Sequence, residues 1–300
     1  MSLRSGFVAL VGRPNAGKST LMNRLVGRKV AIVSDKPQTT RNRILGVVHR
    51  PGGQIVLLDA PGIHKPEHDM NRRMVDTALR ALAHADIALW MVDATERYGP
   101  GERYVREVLR KAKPPVILAL NKIDLVPKPN VLPVIATYKD MLPFAEIVPI
   151  SAKTGDNVDR LEALLLQHLP EGDAIYPEEF VTDQTERFIV AELVREKILA
   201  RTREELPYSV GVLVESFEEK ENLVRIEVTV YVERDGQKAI LIGRGGEMMK
   251  AVGTAARHEI EGQLGTKVFL GLFVKVRSKW REDGRLLESM GLEGRGGRRD

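Results

Sequence analysis

Residues 12 to 19 read GRPNAGKS, a glycine-rich turn that ends in a lysine and a serine. Spacing of the form Gly-x-x-x-x-Gly-Lys-Ser stacks consecutive backbone N–H groups into a concavity for phosphate oxygens. The helix that follows adds its positive end, the lysine neutralises β and γ oxygens, and the serine hydroxyl reaches Mg²⁺. Gly12, Asn15, Ala16, Gly17, Lys18, Ser19 and Thr20 are therefore the candidate phosphate-binding residues. The turn implies a nucleotide without naming the base. DAPG at 59 to 62 offers Asp59 for the water shell of the metal and the Gly62 N–H as a sensor of a γ-phosphate. NKID at 121 to 124 carries the base choice: a carboxylate at Asp124 accepts from N1–H and N2–H₂ of guanine, donors that adenine lacks. The Lys122 stem can cover the purine plane, Asn121 can tie loops together, and Ser151, Ala152 and Lys153 (SAK) offer a backbone N–H to the guanine O6. Together these segments point to GTP, with Lys18, Asp59 and Gly62 among the catalytic candidates.

Each motif must sit at the end of a strand. Up to about residue 168, apolar runs such as FVALVG, IVLLDA, DIALWMVDA and VILALNK alternate with amphipathic segments, the pattern of a parallel α/β sheet whose strands are buried on both faces. At 170 to 180, PEGDAIYPEEF is too rich in proline and acidic residues to continue a helix or a central strand, and it reads as a linker. Beyond it, TDQTERFIVAELVREKILAR predicts a helix over 183–202 capped at Thr182 or Asp183, with Phe188, Ala191, Val194 and Ile198 on one face. Strictly alternating segments then predict strands over 209–217, 224–233 and 267–277, in an antiparallel or mixed sheet with helices on one side. The expected division is 1–170, a linker at 171–181, a second domain at 182–292, and a basic Gly/Arg tail at 293–300.

The composition fits two globular domains: 300 residues, 43% hydrophobic and 29% charged. With no cysteine, disulfides and thiolate metal sites are excluded. No uncharged run approaches the ~18 residues of a membrane span, and the N-terminus lacks a secretory pattern, so a soluble cytoplasmic protein is expected. A net charge of +5 suits a polyanionic partner without demanding one.

Over its first 168 residues the sequence resembles the translation-factor-type P-loop GTPases. That resemblance implies a switch threonine; PQTTR at 37 to 41 supplies Thr39 and Thr40, and by analogy Thr40, before the arginine, joins Mg²⁺ in the triphosphate state and belongs with the catalytic residues. The residue after DAPG is Ile63, where Ras-like enzymes carry a water-orienting glutamine. Slow intrinsic hydrolysis is therefore expected, with His64 as an alternative base and K⁺, held with help from Asn15 as in GTPases of similar motifs, as a source of positive charge.

A second glycine turn, IGRGG, has no Lys-Ser/Thr after it, and Glu247 would repel a triphosphate. Gly243, Arg244, Gly245 and Gly246 match the GxxG loop of KH domains, which joins two helices and clamps a single strand of RNA. Lys238, Ile242, Arg244 and Lys250, with Lys275 and Arg277 beyond them, are the candidate RNA contacts, and Met249, Val252, Ala256, Ile260 and Leu264 mark the buried face of the next helix. The element order resembles the type II KH arrangement, an α+β domain. With GRPNAGKS, QTTR, DAPGIHKP, NKID, SAKTG, YPEEFVTDQTERF, VREKI and IGRGG in register, the chain resembles the Era family of ribosome-associated bacterial GTPases. That resemblance implies a GTP/GDP switch, binding near the 3′ end of 16S rRNA, assistance to 30S subunit maturation, and loose association with the inner membrane; a monomer is expected. Two rival readings are a constitutive RNA-binding assembly factor with a mainly structural nucleotide site, and a P-loop kinase or ATPase carrying an RNA module.

Overall fold

The structure is a computed structural model and describes residues 3–36, 38–63, 69–203 and 206–292. Two compact units divide the chain, Met1–Asp183 and Gln184–Asp300.

The first unit runs β1 (Arg4–Val11), α1 (Lys18–Val26), β2 (Ile44–Arg50), β3 (Gly53–Asp59), α2 (Asp69–Ala83), β4 (Ile87–Asp93), α3 (Pro100–Leu109), β5 (Val116–Asn121), α4 (Lys128–Tyr138), β6 (Phe144–Pro149) and α5 (Val158–His168). Its sheet has the order β2-β3-β1-β4-β5-β6, and every neighbouring pair is parallel except β2 with β3. The apolar runs noted in the sequence fill its centre: Val8 to Val11, Ile55 to Leu58, Ile87 to Val92 and Ile117 to Leu120 are buried, as strands covered on both faces must be. The phosphate turn, DAPG, NKID and SAK therefore leave the carboxyl ends of β1, β3, β5 and β6, the edge where open α/β sheets bind ligands.

Residues 171–181, expected as a linker, are part of this unit. The Gln54 side chain accepts from the N–H groups of Ile175 and Tyr176, both at 2.9 Å, and donates to the Tyr176 carbonyl at 2.8 Å. Tyr176 and Phe180 stack with centroids 4.6 Å apart and pack on the core. The chain then lies along edge strand β2: the Val47 N–H donates to Val181 O at 2.8 Å, Thr182 Oγ1 donates to Leu45 O at 2.6 Å, and Arg43 pairs with Asp183 at 2.7 Å. Proline and acidic residues rule out a helix, but the aromatic pair and the unpaired edge of β2 give the segment a seat.

The second unit runs α6 (Glu186–Leu199), α7 (Leu206–Ser209), β7 (Gly211–Lys220), β8 (Leu223–Val232), α8 (Asp235–Ile242), α9 (Glu247–Leu264), β9 (Val268–Val276) and α10 (Gly284–Ser289). Its sheet, β7-β8-β9, is mixed: β7 and β8 are antiparallel, β8 and β9 parallel. Val224, Ile226, Val228, Val230 and Val232 are all buried, each contributing on the order of 1.5–3 kcal/mol of apolar burial. The helix cap expected at Thr182 or Asp183 is Thr185, whose hydroxyl accepts from the Phe188 N–H at 3.3 Å. Thr182 and Asp183 are engaged by β2 and its flank instead, so the helix starts later. Its buried face is Val190, Leu193, Val194, Ile198 and Leu199, with Phe188 and Ala191 only half-buried. In α9, Val252, Ala256 and Ile260 are buried as expected, while Met249 and Leu264 are half-buried at the ends. Among the described residues no helix is long and apolar enough to cross a membrane.

Candidate functional site

Gly17 opens α1 in the left-handed region (φ 95°), and a Cβ there would lie 2.1 Å from the Asn121 amide nitrogen. Glycine is required because that amide must come close: Asn121 Nδ2 donates to Ala16 O at 2.8 Å, and its Oδ1 accepts from the Ala152 N–H at 2.8 Å. One buried asparagine thus ties the phosphate turn, NKID and SAK together, as its sequence position suggested. The Ala152 N–H, an expected donor to guanine O6, is engaged by Asn121 in this arrangement. Arg24, at the end of α1, grips the same loop: Nε donates to Ala152 O at 2.7 Å and Nη2 donates to Lys153 O. No motif marks Arg24; only its place in the last turn of the helix after GKS could have suggested it.

Lys122 adopts a left-handed backbone (φ 68°) that starts the turn Ile123–Leu125 and leaves Asp124 exposed. Its ammonium pairs with Asp93, at the end of β4, at 2.5 Å, which fixes the stem at the site's rim. Asp93 was not singled out in the sequence, although it closes an apolar run in the same manner as Asp59.

The metal candidates converge. Ser19 Oγ donates to Asp59 Oδ2 at 2.6 Å and lies 2.9 Å from Thr40 Oγ1. Thr39 turns elsewhere, its hydroxyl donating to Lys36 O at 2.6 Å, so of the two threonines it is Thr40 that stands beside Ser19. Asp59 is fully buried, and its other oxygen, Oδ1, has no hydrogen-bond donor. An orphaned carboxylate oxygen beside two hydroxyls is a hard, all-oxygen donor set that suits Mg²⁺. Burial pushes the Asp59 carboxyl up and the Lys18 ammonium down from their ordinary values, outweighing the attraction between them. Lys18 lies against the turn itself, donating to Arg13 O at 3.1 Å. Asn15, left-handed at φ 64°, donates from Nδ2 to Asp35 O at 2.6 Å, joining the phosphate turn to the segment before Thr40. Asn15, Lys18, Ser19, Thr20, Thr40 and Gly62 line a cleft of about 260 Å³. A Cβ at Gly62 would collide with Pro14, and the Ile63 N–H donates to Gly12 O at 3.0 Å. The Ile63 side chain is buried in the core, so it is a packing residue and not an idle substitute for glutamine. His64 lies outside the described residues, as does the tail from residue 293.

In the second unit, Arg244–Gly246 form a single 3-10 turn between α8 and α9, as expected. Gly243, Gly245 and Gly246 all have positive φ (73°, 60° and 83°), which only glycine adopts freely in succession. Arg244 and Lys250 are exposed, whereas Lys238 and Ile242 are half-buried beside the turn. Lys275 is exposed, and Arg277 pairs with Asp283.

Comparison with known proteins matches residues 7–122 to a family described as 50S ribosome-binding GTPase and residues 205–281 to the KH domain. The chain is 53% identical over 290 residues to GTPase Era of Geobacter metallireducens, covering 96% of this chain and 97% of that one. It is 49% identical over 289 residues to GTPase Era of Staphylococcus haemolyticus, covering 96% and 97%. Among solved structures, Era in complex with MgGDPNP and nucleotides 1506–1542 of 16S ribosomal RNA superposes with a TM-score of 0.94 at 41% identity, covering 97% of this chain and all of that one. A variant of Aquifex aeolicus Era bound to GDP·AlF₄⁻ gives 0.93 at 41%, with the same coverage. Near-complete matches at this identity join both units under one description: this chain belongs to the Era family of GTPases.

Proposed function

We propose that this chain hydrolyses GTP slowly with Mg²⁺, and that its nucleotide state sets how its KH unit grips single-stranded RNA near the 3′ end of 16S rRNA during 30S maturation. One observation carries the reading: Ser19, Thr40 and Asp59, from three separate segments, meet within hydrogen-bonding distance. The family relative that binds MgGDPNP together with a 16S rRNA fragment supports it. When bound, Mg²⁺ neutralises charge between phosphate oxygens; Ser19, Thr40 and Asp59 would hold it. Lys18 would carry charge to the β and γ oxygens, and Asp124 would select guanine. With Ile63 in the core, no side chain at that position orients the attacking water, which accounts for a slow intrinsic rate.

The switch has a physical route. Thr40 lies four residues before β2, and β2 carries the ladder that seats residues 181–183, the last of the first unit. A shift of the threonine on loss of the γ-phosphate would reach residues 181–183 through hydrogen bonds already in place. Nucleotide and RNA must then be coupled reciprocally.

Against a constitutive RNA binder with a structural nucleotide site, Asp59→Asn is the discriminating variant. It should keep the RNA affinity of the nucleotide-free chain, lose the strengthening by a GTP analogue, and fail to support 30S maturation; maturation at the wild-type rate would favour the constitutive reading. We also assign K⁺ a catalytic role with Asn15. Turnover in K⁺ should exceed that in matched Na⁺ by roughly tenfold, and Asn15→Ala should remove the difference. Equal rates in both salts would dispose of that role. The expected setting is the cytoplasm, as a monomer, with loose peripheral contact at the inner membrane resting on family resemblance alone.

A further inference from the structure

Behind the phosphate turn lies a buried polar cluster that the reading above does not use. The Arg13 side chain leaves the turn, passes Gly101 so closely that a Cβ there would sit 2.6 Å from its Nε, and ends 2.5 Å from Glu96 and 3.8 Å from Glu102. Glu102, in the first turn of α3, is 3% exposed. The Trp90 indole N–H faces the Glu102 carboxylate and favours its charged form, though not in close hydrogen-bond geometry, while the buried Tyr98 and Tyr138 hydroxyls have no partner. The rings of Trp90 and Tyr98 each meet that of Tyr138 edge-on, at 5.8 and 5.6 Å. Buried polar groups left unpaired are costly, so two hydroxyls without partners beside a buried carboxylate mark a place where water or a proton is held.

We propose that Glu102 is a positioning residue for the phosphate turn: through Arg13 it fixes the backbone carbonyl on which Lys18 rests. The inference depends on the nucleotide reading above. Arg13 O accepts from Lys18 Nζ at 3.1 Å, and the Glu102 charge acts directly on Lys18. Held by two carboxylates, Arg13 keeps the first residues of the turn in place while Lys18 moves between that carbonyl and phosphate.

The same site makes nucleotide affinity sensitive to pH. Facing Glu102 are Arg13 from the phosphate turn, Lys18 from α1, Trp90 and Asp93 from β4, Glu96 and Tyr98 from the loop after it, and Tyr138 from α4. Burial pushes the Glu102 carboxyl up to about 7, with Arg13 opposing. The sign follows from linkage. Only the ionised carboxylate holds Arg13, so binding that needs Arg13 in place favours the deprotonated form, releases a proton, and strengthens as pH rises through neutrality.

The test is the dissociation constant of a fluorescent GDP analogue from the full chain, measured from pH 6 to 8 for wild type, Glu102→Gln, Arg13→Lys and Arg13→Ala. Expected are a sloping profile for wild type, a flatter one for Glu102→Gln, weaker binding at every pH for Arg13→Ala, and recovery in Arg13→Lys. Titration of the analogue's own phosphates is common to all four and cancels in the comparison. Superimposable wild-type and Glu102→Gln profiles, or an Arg13→Ala chain that binds as wild type does, would overturn the positioning role while leaving the nucleotide site intact. Absence of guanine-nucleotide binding by wild type at any pH would overturn both.

Discussion

Asp124→Asn is expected to weaken guanine-nucleotide binding by roughly a hundredfold to a thousandfold. The carboxylate is the proposed acceptor for two guanine donors, and hydrogen bonds to a charged group contribute about 1.5–3 kcal/mol each. Asparagine keeps one acceptor and presents an amide N–H to the other donor, so both partners suffer; a loss near 3–4 kcal/mol gives that factor. Xanthosine diphosphate, which carries a carbonyl where guanine has its amino group, should bind the variant better than it binds wild type. Because Asp124 is exposed in a short turn and supports no core packing, the fold and the RNA affinity of the nucleotide-free chain should be unchanged. Isothermal titration with GDP and xanthosine diphosphate checks it. An unchanged preference for guanine would mean that the base is read elsewhere.

Gly245→Asp carries the second large effect. At φ 60° and ψ 18° the residue is left-handed, a conformation aspartate tolerates better than most side chains, and nothing lies within 4 Å of the position its Cβ would take. The turn should therefore keep its shape while a carboxylate stands where an RNA phosphate must approach. A loss of at least roughly tenfold in affinity for a short single-stranded RNA is expected, with GDP affinity unaltered. Gly243 makes a poorer probe: at φ 73° its Cβ would lie 2.6 Å from Met248 Cβ, so substitution there would disturb the start of α9. RNA binding of wild-type strength by the Gly245→Asp chain would remove the turn from the RNA site.

The parts of the fold most legible in the sequence were those where one residue type has few alternatives. Buried parallel strands have to be apolar throughout, so β1, β3, β4 and β5 stood out, and the loops at their ends could be read as a set. The alternation of β8 was equally plain because its apolar residues from Val224 to Val232 share one face, although Thr229 and Tyr231 on the other face are buried too. Residues 171–181 read as a linker because their composition excludes regular structure but says nothing of attachment, and they group with the first unit. Their seat is made by Gln54, His49 and the edge of β2, more than a hundred residues earlier. The true cap at Thr185 was hidden for the same reason, since any of several polar residues could have served until tertiary bonds engaged Thr182 and Asp183. Within the site, the motif residues were visible and their supports were not: Arg24, Asp93, Arg13 and Glu102 act by spatial neighbourhood, which spacing along the chain does not encode. Ile63 shows the converse case. Its position suggested a catalytic gap, and the structure gives its side chain a place in the core.

The central claim is that one chain couples its guanine-nucleotide state to its grip on RNA. It is tested most directly by the affinity of the full chain for a short single-stranded RNA matching the 3′ end of 16S rRNA, measured with a non-hydrolysable GTP analogue, with GDP and without nucleotide. The account predicts tightest binding with the analogue, and an equal strengthening of analogue binding when the RNA is saturating. Identical RNA affinities in all three conditions would contradict it.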